Sequence, residues 1–150
     1  MTPKQYLGQA LALKTKYQQA LEDVHQIRAL AESAGAIRYD KVNIQSSPDN
    51  DQMANYMIRL DKAESKAVRL SEQYFEKYIL IRQQIEQISP QIYSDILYLR
   101  YIHGLKLWKI ADELNYDYDW LKHLHGRALT EFGKVFADQL KEHTKTHFEV

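Results

Sequence analysis

Met53, Leu60, Ala67, Tyr74, Ile81 and Ile88 recur every seven residues, a series that an α-helix keeps on one side. A helix carrying this series over about residues 48 to 88 would be roughly 60 Å long at about 1.5 Å per residue. The companion positions Tyr56, Ala63 and Leu70 slip by one residue to Tyr78, Ile85 and Ile92. That slip brings the stripe nearer a 3.6-residue period than a strict coiled-coil repeat. A helix so long with one apolar stripe needs a partner, and residues 3 to 34 supply one. There Tyr6, Ala10, Leu13, Tyr17, Ala20, Val24, Ile27 and Ala31 alternate in steps of four and three, with Leu7, Leu21 and Leu30 widening the seam. The two segments predict a long antiparallel helical hairpin. The spare length of the second helix is available to the C-terminal part or to a second subunit, so pairing within one chain and a homodimer through the long helices both stay open.

The boundaries of these helices come from the three prolines, each preceded by a hydroxyl residue: Thr2-Pro3, Ser47-Pro48 and Ser89-Pro90. A hydroxyl N-cap followed by proline at the first helical position is a start signal, and Gln5 completes a capping box with Thr2. Helix starts are therefore expected near residues 3, 48 and 90. Gly35 is the expected left-handed terminator of the first helix. Residues 36 to 47, with Ile37, Tyr39, Val42 and Ile44 in alternation, are expected to form an ordered extended loop, with a short β-hairpin as the weaker alternative. The domain reading is a hairpin over 1–89, with a connecting loop at about 35–47, and a second domain over 90–150.

Composition narrows the function classes. No apolar run approaches 18 residues, which argues against a membrane span, and no basic-then-apolar leader opens the chain. Cysteine is absent, which excludes disulfides and thiolate metal sites and fits a cytoplasmic protein. Twenty Lys and Arg balance twenty Asp and Glu, so net charge gives no argument for a nucleic-acid partner.

Beyond residue 90 the expected helices shorten. One spans about 90 to 103, with Ile92, Ile96, Leu99 and Ile102 inward and Gly104 closing it. The next spans about 106 to 114, closed by Asn115 in a left-handed conformation. A third is capped by Asp117 and continues through Leu129 to about Leu140. Counted from Leu107, these residues match the core positions of a helix-turn-helix: Ile110 and the small Ala111 at the helix crossing, then Leu114, Tyr116, Leu121 and Leu124. The chain thus reads as all-α, a hairpin followed by a helix-turn-helix bundle. The residues left outward on the third helix are Asp117, Tyr118, Asp119, Lys122, His123, Gly126 and Arg127. The base-reading candidates are Tyr118, Asp119, Lys122 and His123: lysine donates to guanine, aspartate accepts from a cytosine amino group, and tyrosine contacts a thymine methyl or a phosphate. Lys106, Lys109 and Arg127 are the candidate phosphate contacts. Charge argues the other way. Ile92 to Val150 holds eight Lys and Arg against nine Asp and Glu, and duplex affinity depends on phosphate neutralisation. A domain so balanced needs a dimer or a larger DNA-bound assembly to bind firmly.

The run "LYLRYIHGLKLWKIADELNYDYDWLKHLHGRAL", from Leu97 to Leu129, resembles region four of bacterial sigma factors. Within that group the chain is similar to small phage-encoded regulators of the late-transcription and autolysin-regulator type. The likeness is carried by the start of the motif after "LRY..G", by "LHGRAL" at the end of the recognition helix, and by "YDKVNIQSSP" between the long helices. It runs loosely from about Tyr6 to Phe132. The resemblance implies a non-enzymatic activator of phage or prophage genes that binds promoter DNA, host RNA polymerase, or both. The chain departs from the pattern where Asp117, Tyr118, Asp119 and Trp120 stand in place of a Ser followed by Arg or His. Lys122 and His123 match its basic positions.

Other chemistry finds no footing. His123 and His125 lie about 200 degrees apart around a helix and cannot converge on one metal. The "HTKTH" pair His143 and His147 lacks the glutamate of a zinc-protease helix and a third ligand. No glycine-rich phosphate loop or nucleophilic triad is present, so neither an enzyme nor a cofactor is expected. Protonation of His123 and His125 is expected to add charge to the recognition helix and tighten DNA binding at pH 6 relative to pH 8. The rival reading is a helical interaction protein that dimerises or clamps a polymerase subunit or a repressor without touching DNA. Asp117 and Asp119 favour it.

Overall fold

Thr2 opens the first helix as its sequence dictates. In the computed structural model its hydroxyl accepts from the Gln5 backbone N–H at 3.2 Å, and the Thr2 backbone N–H donates to the Gln5 carbonyl oxygen Oε1 at 3.0 Å. The structure describes the backbone of residues 1–40 and 48–145 and the side chains of residues 1–33 and 52–142. Every element among the described residues is helical: α1 (Pro3–Leu7), α2 (Gln9–Asp40), α3 (Pro48–Glu86), α4 (Gln91–Leu97), a π-helical turn (Tyr98–Ile102), α5 (Leu107–Leu114), α6 (Tyr118–Val135) and α7 (Ala137–Lys145).

Contacts divide the chain into two compact units, Leu13–Tyr74 on the one hand and Met1–Ala12 with Phe75–Val150 on the other. The division falls inside both long helices, whereas the sequence reading divides the chain between residues 89 and 90.

In the Leu13–Tyr74 unit, Ala20 and Val24 of α2 share a buried cluster with Ala67 and Leu70 of α3, flanked by Tyr17, Leu21, Leu60 and Ala63. These are seam positions of the two apolar series. Further along α2, Arg28 Nη2 meets Glu64 Oε1 at 2.8 Å, so contacts on the two helices run in opposite chain order. Both partners are exposed, and such a pair contributes about 0–1 kcal/mol. The helix does not stop at Gly35. α2 continues to Asp40, because glycine in a helix interior costs only about 1 kcal/mol and does not by itself force a left-handed turn. The extended loop expected over 36 to 47 is therefore helical as far as Asp40, and residues 41 to 47 lie outside the described residues. Leu30, read as part of the stripe, is exposed.

The other unit holds two adjoining cores. The larger joins Tyr6, Leu7 and Ala10 to Ile81, Ile85 and Ile88 of the α3 end and to Phe132 and Phe136. The smaller joins Ile96, Ile110, Ala111, Leu121 and Leu124. Full burial of a Leu, Ile or Phe contributes about 1.5–3 kcal/mol each, so these clusters dominate the stability of the unit. Tyr6 is deeply buried, but its hydroxyl reaches Gln84 Oε1 at 2.9 Å and so keeps a partner.

Three boundaries differ from expectation. Ser89 does not cap α4; Pro90 occupies the N-cap position in extended conformation, and no side chain caps the helix. The Ser89–Pro90 peptide is cis. The helix expected over 90 to 103 is α for one stretch and π for the next. The wider turn brings Leu97, Tyr101 and Ile102 all into the interior, closed by a His103 N–H to Tyr98 carbonyl bond of 3.2 Å. The helix expected to reach Leu140 is interrupted at Phe136 (φ −113°, ψ 32°), where the buried ring turns into the larger core.

Candidate nucleic-acid interface

α5 and α6 owe their geometry to the residue between them. Asn115 adopts φ 58° and ψ 43°, and the Tyr116 backbone N–H bonds back to the Ala111 carbonyl at 2.9 Å. Asparagine tolerates this left-handed conformation better than most residues. Asp117 then starts α6 by accepting from the Trp120 backbone N–H at 3.3 Å, and its charge suits the positive end of the helix. Gly104, at φ +74°, supplies the other left-handed turn, ahead of α5. Between the two helices Ile110, Ala111, Leu121 and Leu124 are buried together, with Leu107 and Leu114 packed against them. The small residue stands at the contact, as the spacing requires. Tyr116 does not join it. Its ring is 38 % exposed, because the residue follows directly on the left-handed turn and its backbone N–H, not its ring, is what holds the turn closed.

All seven residues expected on the outer side of α6, namely Asp117, Tyr118, Asp119, Lys122, His123, Gly126 and Arg127, are exposed, as are Lys106 and Lys109. The basic groups are held by neighbours. Lys122 Nζ lies 3.1 Å from Asp119 Oδ1 and 4.6 Å from the centre of the Tyr118 ring. The Arg127 guanidinium sits 5.3 Å over the Trp120 ring, which also lies near His123. Lys122, His123 and Arg127 converge on one open groove of about 550 Å³, whose further walls are Thr130, Lys134, Glu131 and Tyr93. Tyr118 and Asp119 adjoin it through Lys122. Lys106 and Lys109, at the start of α5, do not line it.

Thr130 and Lys134 escaped the sequence reading, although 122, 126, 130 and 134 form a four-residue series that stays on one side of a helix. The exposed aromatics Trp108 and Trp120 also escaped it, although each lies about 100 degrees around its helix from the middle of the buried stripe.

His125 does not join the outer side of α6. It is buried, with Nε2 2.9 Å from the Tyr101 hydroxyl and the two rings stacked at 5.8 Å. Burial, with smaller contributions from Arg100 and Lys4, pushes the imidazole down to about 4. It stays neutral at pH 6 and adds no charge to the outer side of α6.

Glycines on α6 differ in what they do. At Gly133 an added Cβ would lie 3.0 Å from Pro3 Cγ, so the close approach of α1 requires the missing side chain. At Gly126 an added Cβ would meet nothing within 4 Å. The fold takes no benefit there from a residue that costs about 1 kcal/mol relative to alanine in a helix interior.

No family model, curated protein or solved structure matches the chain. Among the described residues no helix is long and apolar enough to cross a membrane, and no three His, Cys, Asp or Glu side chains cluster as a metal site would need.

Proposed function

We propose that the chain is a non-enzymatic transcriptional regulator of the phage or prophage type, a late-gene activator, that binds promoter DNA through α5 and α6 acting as a helix-turn-helix. The observation that carries this reading is the burial of Ala111 in one cluster with Leu121 and Leu124, with Asn115 left-handed between the two helices and Lys122, His123 and Arg127 exposed beside one groove. Tyr118, Asp119, Lys122 and His123 are the proposed base-facing residues; Lys106, Lys109 and Arg127 are the proposed phosphate contacts. α2 and α3 form the proposed long antiparallel hairpin ahead of this unit, a scaffold open to homodimerisation. The sigma-region-four likeness of Leu97 to Leu129 adds host RNA polymerase as the proposed second partner. A bound polymerase supplies the phosphate contacts that a nearly neutral domain lacks.

A second reading has its own support. Tyr116, Tyr118 and Trp120 are exposed at the α5–α6 turn, beside Asp117 and Asp119, and Trp108 is exposed at the start of α5. Exposed aromatics are typical anchors of protein interfaces, and acids disfavour phosphate. On this reading the chain clamps a polymerase subunit or a repressor and reads no DNA.

Site selection from random duplex DNA, followed by mobility shifts with and without host RNA polymerase, separates the two. A selected sequence bound by the chain, weakened by Lys122→Ala and indifferent to Trp108→Ala, supports the regulator. Capture of polymerase without sequence preference, lost in Trp108→Ala and kept in Lys122→Ala, supports the clamp.

A further inference from the structure

Gly126 is the residue on α6 whose identity the fold does not explain. It lies in the middle of an 18-residue helix, in right-handed conformation, with open space where a side chain would stand. Glycine disfavours a helix interior, and Gly104 and Gly133 each have a backbone or packing reason that Gly126 lacks. What remains is close approach by something outside the chain.

The surroundings point to the chemistry of that visitor. Gly126 is part of the groove walled by Lys122, His123, Arg127, Thr130 and Lys134. Three cations, Lys122, Arg127 and Lys134, stand there against the Glu131 carboxylate and that of Asp119, which pairs with Lys122 at 3.1 Å. They are strung along the groove: Lys122 to Lys134 covers about 18 Å of helix axis at about 1.5 Å per residue. A single small anion needs one focus of charge; a track of this length suits a polyanion whose phosphates recur along one strand every 3.4 Å or so of duplex rise. The Thr130 hydroxyl donates to the Gly126 carbonyl at 3.0 Å, giving a second donor to the acceptor that would otherwise face an arriving anion.

We infer that the groove centred on Gly126 seats one phosphodiester strand of duplex DNA, and that the missing side chain lets that strand approach the α6 backbone. This rests on the DNA-binding reading and extends it. The strand contact moves to the second half of α6, adds Thr130 and Lys134 to the site, and draws phosphate away from Asp117 and Asp119 at the acidic start of the helix.

The test uses the full chain and a selected duplex, with Gly126→Ala, Gly126→Gln and Lys134→Gln. Gly126→Ala is expected to raise the melting temperature while lowering affinity at least tenfold, and Gly126→Gln to lower affinity further. Lys134→Gln is expected to reduce the slope of log affinity against log salt by about one. A Gly126→Ala protein that melts higher and binds equally well overturns the inference while the DNA reading stands. One that melts lower assigns Gly126 to folding and overturns it too. A wild-type chain that binds no duplex, with or without polymerase, removes both.

Discussion

The Tyr101 hydroxyl and His125 Nε2 lie 2.9 Å apart inside the unit that carries α5 and α6, so the π-helical turn and α6 are joined by a buried polar contact. Burial pushes the Tyr101 phenol up and the His125 imidazole down to about 4, so both are neutral at pH 7.

That pair makes the fold acid-sensitive. The unfolded chain takes up the His125 proton from about 6.5 downward, and the folded chain only near 4. The stability present above about pH 6.5 is therefore lost progressively as pH falls to 4, by up to about 3 kcal/mol from this residue. Urea unfolding of the wild type and His125→Gln across pH 7 to 4 measures it. The wild type should lose its advantage over the variant as pH falls, and a gap that stays constant would show that His125 is not the cause.

Gly133 is expected to be intolerant where Gly126 is not. Gly133→Val forces branched carbons against Pro3, already 3.0 Å from an added Cβ. Displacing α1 from α6 is expected to cost about 1–3 kcal/mol, as overpacking does elsewhere. Thermal melting of the variant checks it, and an unchanged midpoint would refute the close approach.

The buried contact of Ala111 should behave as a packing constraint. Ala111→Leu drives extra methyl groups into a cluster that holds Ile110, Leu121 and Leu124, at a cost of about 1–3 kcal/mol. Asn115→Val, at φ 58°, should cost a further 1–2 kcal/mol or so, and Asn115→Gly close to nothing. If Asn115→Val melts like the wild type, the turn does not have this geometry.

Asp117 serves the fold at the expense of the proposed function. Asp117→Ala removes the acceptor of the Trp120 N–H and should cost about 1 kcal/mol of stability. Removing the negative charge should also strengthen duplex binding and raise it most at low salt. Weaker binding in this variant, at a temperature where it is fully folded, would contradict the proposed role of the acid.

Much of this could be read from residue spacing. The seam Ala20, Val24, Ala67 and Leu70, the burial of Ala111, the turn at Asn115 and the cap at Asp117 all follow from rules in which one residue type serves one local geometry. The misses share a different cause. Gly35 and Ser89 carry signals for a helix end and a helix start, but a local preference of about 1 kcal/mol does not by itself fix a helix boundary. His125 and Tyr116 were misassigned because sequence gives a residue's angle around a helix but not the depth of what covers it. The π-turn that brings Tyr101 over His125 leaves no periodic trace.

Tyr6 and Phe132, whose rings pack 5.8 Å apart, stand near opposite ends of the chain. During synthesis the first ring leaves the ribosome without its eventual neighbour and waits until most of the polypeptide has followed. Joining them early would mean closing a very large loop. If α2 and α3 zip through Val24 and Ala67 beforehand, the remaining loop is shorter by roughly a third and its entropic cost falls modestly. The order of assembly would then be the middle of the chain first and its two extremities last.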